Sequence, residues 1–225
     1  MQNLNAEAWL RLGFLAIVMG LALFVTAGTR HYWQAWVYLS TFFGSSILIT
    51  LYLMKHDPAL LKRRMSAGPT AEKESPQAII MFVASIAFIA LLVVPALDRR
   101  FLWSSVPLWA VVAGDMLTAL CFYIAFVVFE ENTFSSATIE IVEDQEVIST
   151  GLYSLVRHPM YAGALLLAIG TPLALGSYWG FLASAMLLSA GAWRLFDEEA
   201  FLSKNLPGYT DYCARVRWRL IPGIF

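Results

Sequence analysis

"VPLWAVVAGDMLTALCFYIAFVVF" occupies residues 106–129, and Asp115 is its one charged residue. A helix rises about 1.5 Å per residue, and roughly 20 apolar residues cross the hydrocarbon of a bilayer. The same pattern recurs at 12–27, 35–54, 78–97, 160–175 and 177–193, each nearly free of Lys, Arg, Asp and Glu. The first and the last two runs are near or just under the spanning limit, and flanking aromatic and polar residues complete them. Six spans are therefore predicted, the last two closing as a tight hairpin at Gly176-Ser177. Composition agrees: 59% of the 225 residues are hydrophobic and 14% charged, where a soluble domain carries about a quarter charged. The fold expected is an all-α polytopic membrane bundle of one domain. Four spans fall in 1–129, and 130–225 form a C-terminal region with the final hairpin and tail.

The basic residues orient the bundle. With six spans, Arg11, Lys55, Lys62, Arg63, Arg64, Lys73, Arg157, Arg194, Lys204, Arg215, Arg217 and Arg219 share one side, and Arg30, Arg99 and Arg100 take the other. That division of 12 against 3 puts both termini in the cytoplasm; a five-span chain would separate the 130–159 loop from the tail. Glu7 before Arg11, with no small-residue cleavage site, argues against a cleavable signal peptide. Cys121 and Cys213 are too far apart in the pattern to imply a disulfide framework or a metal site. A net charge of −1 says little about partners, and no nucleic-acid role is expected.

Two segments on the cytoplasmic side exceed simple connections. Residues 55–77, basic and broken by Pro and Gly, read as an anchor at lipid headgroups. Residues 130–159 start acidic and end basic, and "ATIEIV" at 137–142 alternates as a short extended piece does. The tail at 194–225 is amphipathic and aromatic, with the pattern of an ordered segment.

The loop ends in "GLYSLVRHPMYAG", residues 151–163. Pro159 suits the first turn of a helix, because its missing N–H would be unpaired there. Such a helix start carries partial positive charge and free N–H groups, which favour a carboxylate or phosphate. Arg157 and His158 add donors there, and Tyr153 and Tyr161 add rings with hydroxyls. The alternative is a membrane-interface belt. In the tail, Arg194 and Glu198 are four apart on one helical face, and Glu199 follows. Two acids near a helix C-terminus oppose its dipole, so a cation or basic partner is expected to favour them. A positive helix start beside an acidic patch suits an amphoteric ligand.

The pattern Gly151-x-Tyr153-x-x-x-Arg157-His158-Pro159-x-Tyr161, then Arg194-x-x-x-Glu198-Glu199, then Pro207-Gly208-Tyr209-x-x-Tyr212 resembles the isoprenylcysteine carboxyl methyltransferase family, related to the membrane phospholipid methyltransferases. The resemblance covers roughly 130–225. It implies an integral-membrane methyltransferase that uses S-adenosylmethionine without a soluble-type glycine-rich nucleotide loop. By motif, Tyr153, His158, Pro159, Met160 and Tyr161 would line the cofactor site, with Gln145, Glu146, Val147 and Ile148 as a backbone contact strip. The loop is shorter than in many relatives between Asp144 and Val147. Glu198 would touch the cofactor, Arg194 would face the acceptor, and Glu199 completes the proposed catalytic set.

The implied chemistry suits the residues. Methyl transfer from a sulfonium to an anionic acceptor neutralises both charges, which a dry pocket favours. Arg194 could hold a carboxylate through two parallel hydrogen bonds. The acceptor implied is lipophilic or small, reached from membrane lipid, and a carboxylate first, with a thiol or lipid amine as alternatives. A sterol-type NADPH reductase and a non-enzymatic membrane binding protein are the rival readings. Asp115, about 22 Å of helix from Glu130, is expected to serve a structural hydrogen bond or a water-filled cleft at the far side. His31 and His56 read as solvated loop residues. Trp33, Trp36, Trp103 and Trp109 read as interface anchors, and Trp218 as an anchor or part of a lipid entrance.

Overall fold

The computed structural model describes residues 2–66, 75–139, 141 and 145–225. Among the described residues the regular elements are all helical. They are α1 (Gln2–Ala27), α2 (Trp33–His56), α3 (Pro58–Met65), α4 (Ser75–Phe101), α5 (Leu108–Glu131), α6 (Pro159–Ala174), α7 (Gly180–Asn205) and α8 (Tyr209–Arg215), with a 3-10 turn at Gly151–Ser154. Four of them, α1, α2, α4 and α5, are long and apolar enough to cross a membrane. The all-α, polytopic membrane reading therefore stands. Of the last two helices, α6 matches the run at 160–175, whereas α7 continues well past the run at 177–193. α6 has 16 residues, about 24 Å. α7 has 26 residues, and is apolar only as far as Trp193 before its charged half begins. They form the expected hairpin, turning at Gly176 with φ +71°. Of "ATIEIV", Glu140 and Val142 lie outside the described residues, and Ala137, Thr138 and Ile139 bend rather than extend.

Helix starts follow the sequence chemistry. Pro58 opens α3 behind Asp57, whose side chain accepts from Leu60 N at 2.8 Å. Pro159 opens α6 as predicted. Pro172, inside α6, has no N–H for the carbonyl four residues back. That carbonyl, Ala168 O, accepts instead from Ser184 Oγ of α7 at 2.6 Å. An interruption that would leave an unpaired carbonyl in lipid thereby joins the two helices.

At the end of the bundle away from the tail, Asp98 is buried and gathers the connections. Ser104 N and Oγ donate to it at 2.7 and 2.6 Å, and Ser177 Oγ also donates to it. One carboxylate thus joins α4, the α4–α5 loop and the α6–α7 turn. Tyr32, fully buried, donates to Leu175 O at 2.6 Å. Asp115 lies partly buried in α5, and its Oδ1 has no hydrogen-bond partner among the described residues.

α5 and α6 make the closest helix pairing, and two glycines permit it. A Cβ on Gly114 would meet Ala174 N and would stand 2.6 Å from Gly170 O. A Cβ on Gly170 would stand 2.7 Å from Gly114 O. Small residues let backbones approach where no hydrophobic effect drives helices together. Gly114→Ala should therefore cost about 1–3 kcal/mol in thermal unfolding of the detergent-solubilised protein. Gly20→Ala, where a Cβ would meet nothing within 4 Å, should be neutral. Equal effects of the two would contradict the close seam.

Candidate functional site

The site lies at the opposite end of the bundle from Asp98, where α3, α6, α7, α8 and the loop after α5 converge. The loop is tied down first. Asn132 closes α5, accepts from Phe134 N at 3.0 Å and donates to the Tyr153 hydroxyl at 2.9 Å. Arg63 donates to Thr133 O, and Arg64 to Ser136 O at 2.8 Å. Arg194 donates to Ala137 O at 2.9 Å. Arginines from two helices thus satisfy a row of loop carbonyls. This corrects the reading of the 55–77 segment as a headgroup anchor: Arg63 and Arg64 turn inward, while Lys55 and Lys62 stay exposed. Residues 67–74 of that segment lie outside the described residues.

The chain then turns at Gly151, φ +47°. A Cβ there would strike the Glu131 carboxylate, with Cδ at 2.5 Å, so this turn requires glycine. The following 3-10 turn presents Tyr153. Burial pushes its hydroxyl up to about 12, against a lowering hydrogen bond from Asn132, so it stays a neutral hydrogen-bonding group.

Arg157 and His158 come next. Their backbone N–H groups donate to Trp218 O and Arg219 O at 2.9 and 3.0 Å. Their side chains meet Glu199: Arg157 Nη1 at 3.1 Å and His158 Nε2 at 3.2 Å, while Arg219 Nε reaches its other oxygen at 2.8 Å. The Arg219 guanidinium lies over the rings of Phe196 and Phe225 at 5.5 and 5.3 Å. Trp218 joins the clasp through its backbone.

A cavity of about 370 Å³ opens above this clasp, within the range of small-molecule sites. Gln145, Glu146, Val147, Ile148, Tyr153, His158, Pro159, Met160, Tyr161, Arg194 and Glu198 all line it. Every residue expected at the cofactor site is therefore brought to one cavity. Glu199 is not in its lining; it stands behind His158 in the ion-pair cluster. The macrodipole reason for the two acids also falls away. α7 continues to Asn205, so both acids precede the last turn, where the dipole acts. Local partners take its place. Tyr161 donates to Glu198 Oε2 at 2.6 Å, and Glu199 has its basic neighbours.

The structure adds lining residues that sequence reading missed. Arg64 reaches the cavity from α3, with its guanidinium 5.1 Å over the Phe129 ring. Burial lowers its pKa, and the nearby Arg194 adds to that while Tyr153 and Glu198 oppose it. Gln77 of α4 is buried behind the wall. It accepts from Arg194 Nη1 at 3.3 Å and donates to Asp197. Gln77 connects residues more than a hundred positions apart, so no local pattern marks it. Arg64 had a visible signal, its place in a Lys-Arg-Arg run that forms the last turn of the short helix α3, but that run also fits a lipid anchor.

Residues 109–207 match the family model of phospholipid methyltransferases. The chain is 35% identical over 65 residues to the protein-S-isoprenylcysteine O-methyltransferase of Schizosaccharomyces pombe, 27% of this chain and 26% of that protein. It is 30% identical over 132 residues to a probable protein-S-isoprenylcysteine O-methyltransferase of Oryza sativa subsp. indica, 56% of this chain and 64% of that protein. It is also 31% identical over 93 residues to a Delta(14)-sterol reductase of Mus musculus, 39% of this chain and 22% of that protein. The chain spans less than two thirds of the length of each of these relatives. The fold is that of a helical integral-membrane protein, and the matches make the chain similar to membrane methyltransferases. The similarity is to protein-S-isoprenylcysteine O-methyltransferases and, over residues 109–207, to the phospholipid methyltransferases.

Glu199 carries a testable consequence. Burial would raise its pKa, but hydrogen bonds from His158 and Arg219 and the charges of His158 and Arg157 outweigh burial. They hold the carboxyl down to about 2, against an ordinary 4.5. With the folded value below the unfolded one, the stabilisation is full above about 4.5 and is lost as pH falls toward 2. The unfolding midpoint should drop more steeply between pH 6 and pH 3 in the parent protein than in Glu199→Gln. Parallel curves would show that the cluster contributes nothing.

Proposed function

We propose that the chain is an integral-membrane, S-adenosylmethionine-dependent methyltransferase whose acceptor is a lipophilic carboxylate. The observation that carries this is the pairing of opposite charges on one face of α7. Glu198, held by Tyr161, and Arg194, held by Gln77, line the same cavity. The donor set fits the cofactor. Buried Tyr209 Oη and Arg157 Nε belong to lining residues, and neither has a hydrogen-bond partner among the described residues. An amphoteric ligand with hydroxyls, a carboxylate and a cationic centre matches such a set.

In this reading Gln145, Glu146, Val147, Ile148, Tyr153, His158, Pro159, Met160, Tyr161 and Glu198 hold the cofactor. When bound, it supplies a methyl group on a sulfonium cation. Glu198 places negative charge beside that cation, and the Tyr161 hydroxyl fixes the carboxylate's direction. The start of α6 at Pro159 offers unpaired N–H groups and partial positive charge to the cofactor's own carboxylate. Arg194 orients the acceptor carboxylate, and Gln77 with Asp197 sets the guanidinium plane. A carboxylate needs no proton removed, so catalysis is positioning. Glu199 acts through His158 as a positioning residue. With the α6–α7 hairpin taken as the last two of six spans, the 12-to-3 basic division supports a cytoplasmic cavity and cytoplasmic termini. A prenylated cysteine carboxylate, the acceptor in the names of the relatives, is the first candidate.

The match to a Delta(14)-sterol reductase makes nicotinamide cofactor binding the second reading. Calorimetry of the solubilised protein with S-adenosylmethionine and, separately, NADPH decides between them. S-adenosylmethionine should bind, and Glu198→Gln should weaken it about tenfold, or about 1.4 kcal/mol. Binding of NADPH alone would replace the proposal with the reductase.

Arg194 should matter to the acceptor more than to the cofactor. Lys cannot reproduce a bidentate pair. Arg194→Lys should therefore keep cofactor affinity yet lose about tenfold or more in kcat/KM toward a prenylcysteine carboxylate. Loss of cofactor affinity in step with turnover would move Arg194 into the cofactor's own shell.

A further inference from the structure

We propose that the end of the bundle opposite the cavity binds an anionic phospholipid. Its phosphate would lie among Arg30, Arg99 and Arg100, and an acyl chain along α1. A groove of about 520 Å³ runs along the outer face of α1, floored at Gly20, walled by Phe24 and Val25, and ending at Gly28 and Arg30. Ile17, Leu21 and Val25 are exposed on this face, an apolar surface on a helix long enough to span a bilayer. A Cβ on Gly20 would meet nothing within 4 Å, so the notch is open space rather than a packing seam. The mouth is built. The Phe24 and Trp36 rings lie 4.5 Å apart, and Trp36 Nε1 donates to Arg30 O at 3.0 Å.

The charge at this mouth is unbalanced. Arg100 stands beside Gly28, its Cζ and Nε 3.8 Å from where a Cβ would be, and makes a long contact to Thr26 O at 3.5 Å. Arg99 reaches His31 O at 3.4 Å, while its Nε is buried with no partner among the described residues. None of the three arginines forms an ion pair among the described residues. Neighbouring Asp98 is committed to Ser104 and Ser177. Cations at the headgroup level above an apolar groove complement a lipid that joins a negative phosphate to an acyl chain. A second copy packed in parallel on α1 would instead bring the same arginines together.

The test is native mass spectrometry of the full chain in detergent, titrated with dioleoyl phosphatidylglycerol or dioleoyl phosphatidylcholine. The two differ in headgroup charge and share acyl chains. Phosphatidylglycerol should be retained at about fivefold lower concentration, the effect of about one surface arginine. Exposed Arg30→Gln should remove most of that preference. Gly20→Leu fills open space, so the fold should tolerate it, while uptake of both lipids falls. Equal uptake of the two lipids would overturn the proposal. So would a preference unchanged in both Arg30→Gln and Arg100→Gln, which would place it among the basic residues at the other end. Competition by millimolar inorganic phosphate as effective as by lipid would reduce the site to a phosphate site. A dimer lost in Gly20→Leu would assign the groove to a second copy.

Discussion

The cavity end depends on one buried carboxylate. Glu199 is 9% exposed, and a charge so placed is stable only with close opposite charge and hydrogen bonds. Its partners come from two distant stretches: Arg157 and His158 just before α6, and Arg219 in the tail. One charge therefore joins α7, the start of α6 and the tail. Two backbone hydrogen bonds, from residues 157 and 158 to 218 and 219, repeat the connection without side chains. His158, so oriented, sets its ring edge-to-face on Tyr161, centroids 5.6 Å apart. Tyr161 in turn holds Glu198. The direction of Glu198 in the cavity is thus inherited, through two aromatic side chains, from a carboxylate outside it.

The two ends of the bundle solve the same problem differently. Asp98 gathers neutral hydroxyls and an amide, and needs no salt bridge to close its connections. The cavity end gathers arginines on loop carbonyls and on Glu199. The first arrangement stiffens short turns. The second holds a long loop in place while leaving positive charge near an opening. Between them runs the Gly114–Gly170 seam, where backbone contact leaves α5 and α6 little freedom to slide. A loop-built cavity on a stiff helical frame can be shaped in detail while the frame stays fixed.

The frame was legible because hydrocarbon imposes a simple rule: spans must be long, apolar and helical. The runs at 35–54, 78–97 and 106–129 became α2, α4 and α5, and Pro159 marked the start of α6 to the residue. α7 was harder, because one helix carries an apolar half and a charged half, and a hydropathy reading stops at Trp193. The cavity lining was legible where the motif is local, from Tyr153 to Tyr161. It failed for Arg64 and Gln77, whose meaning comes from loops and helices far along the chain. Glu198 and Glu199 look equivalent in sequence. Only the helical rotation of about 100° between neighbours separates one into the cavity wall and the other into the cluster behind it.

That rotation bears on what the cavity can hold. Had both acids faced inward, the site would be strongly negative and suited to a plain cation. With Glu199 turned away and neutralised, Glu198 shares the opening with arginines from α3 and α7. Arg64 is drawn into a partly buried position that lowers its pKa, a cost that Tyr153 and Glu198 partly offset. Glu198 is held by Tyr161, and Arg194 by Gln77 and Ala137 O, so the two signs stand at separate anchors on the cavity wall. A ligand with a cationic centre and an anionic end, meeting a second anion, is the chemistry such separation favours. In the proposed reading these are the sulfonium and carboxylate of the methyl donor and the carboxylate of its acceptor.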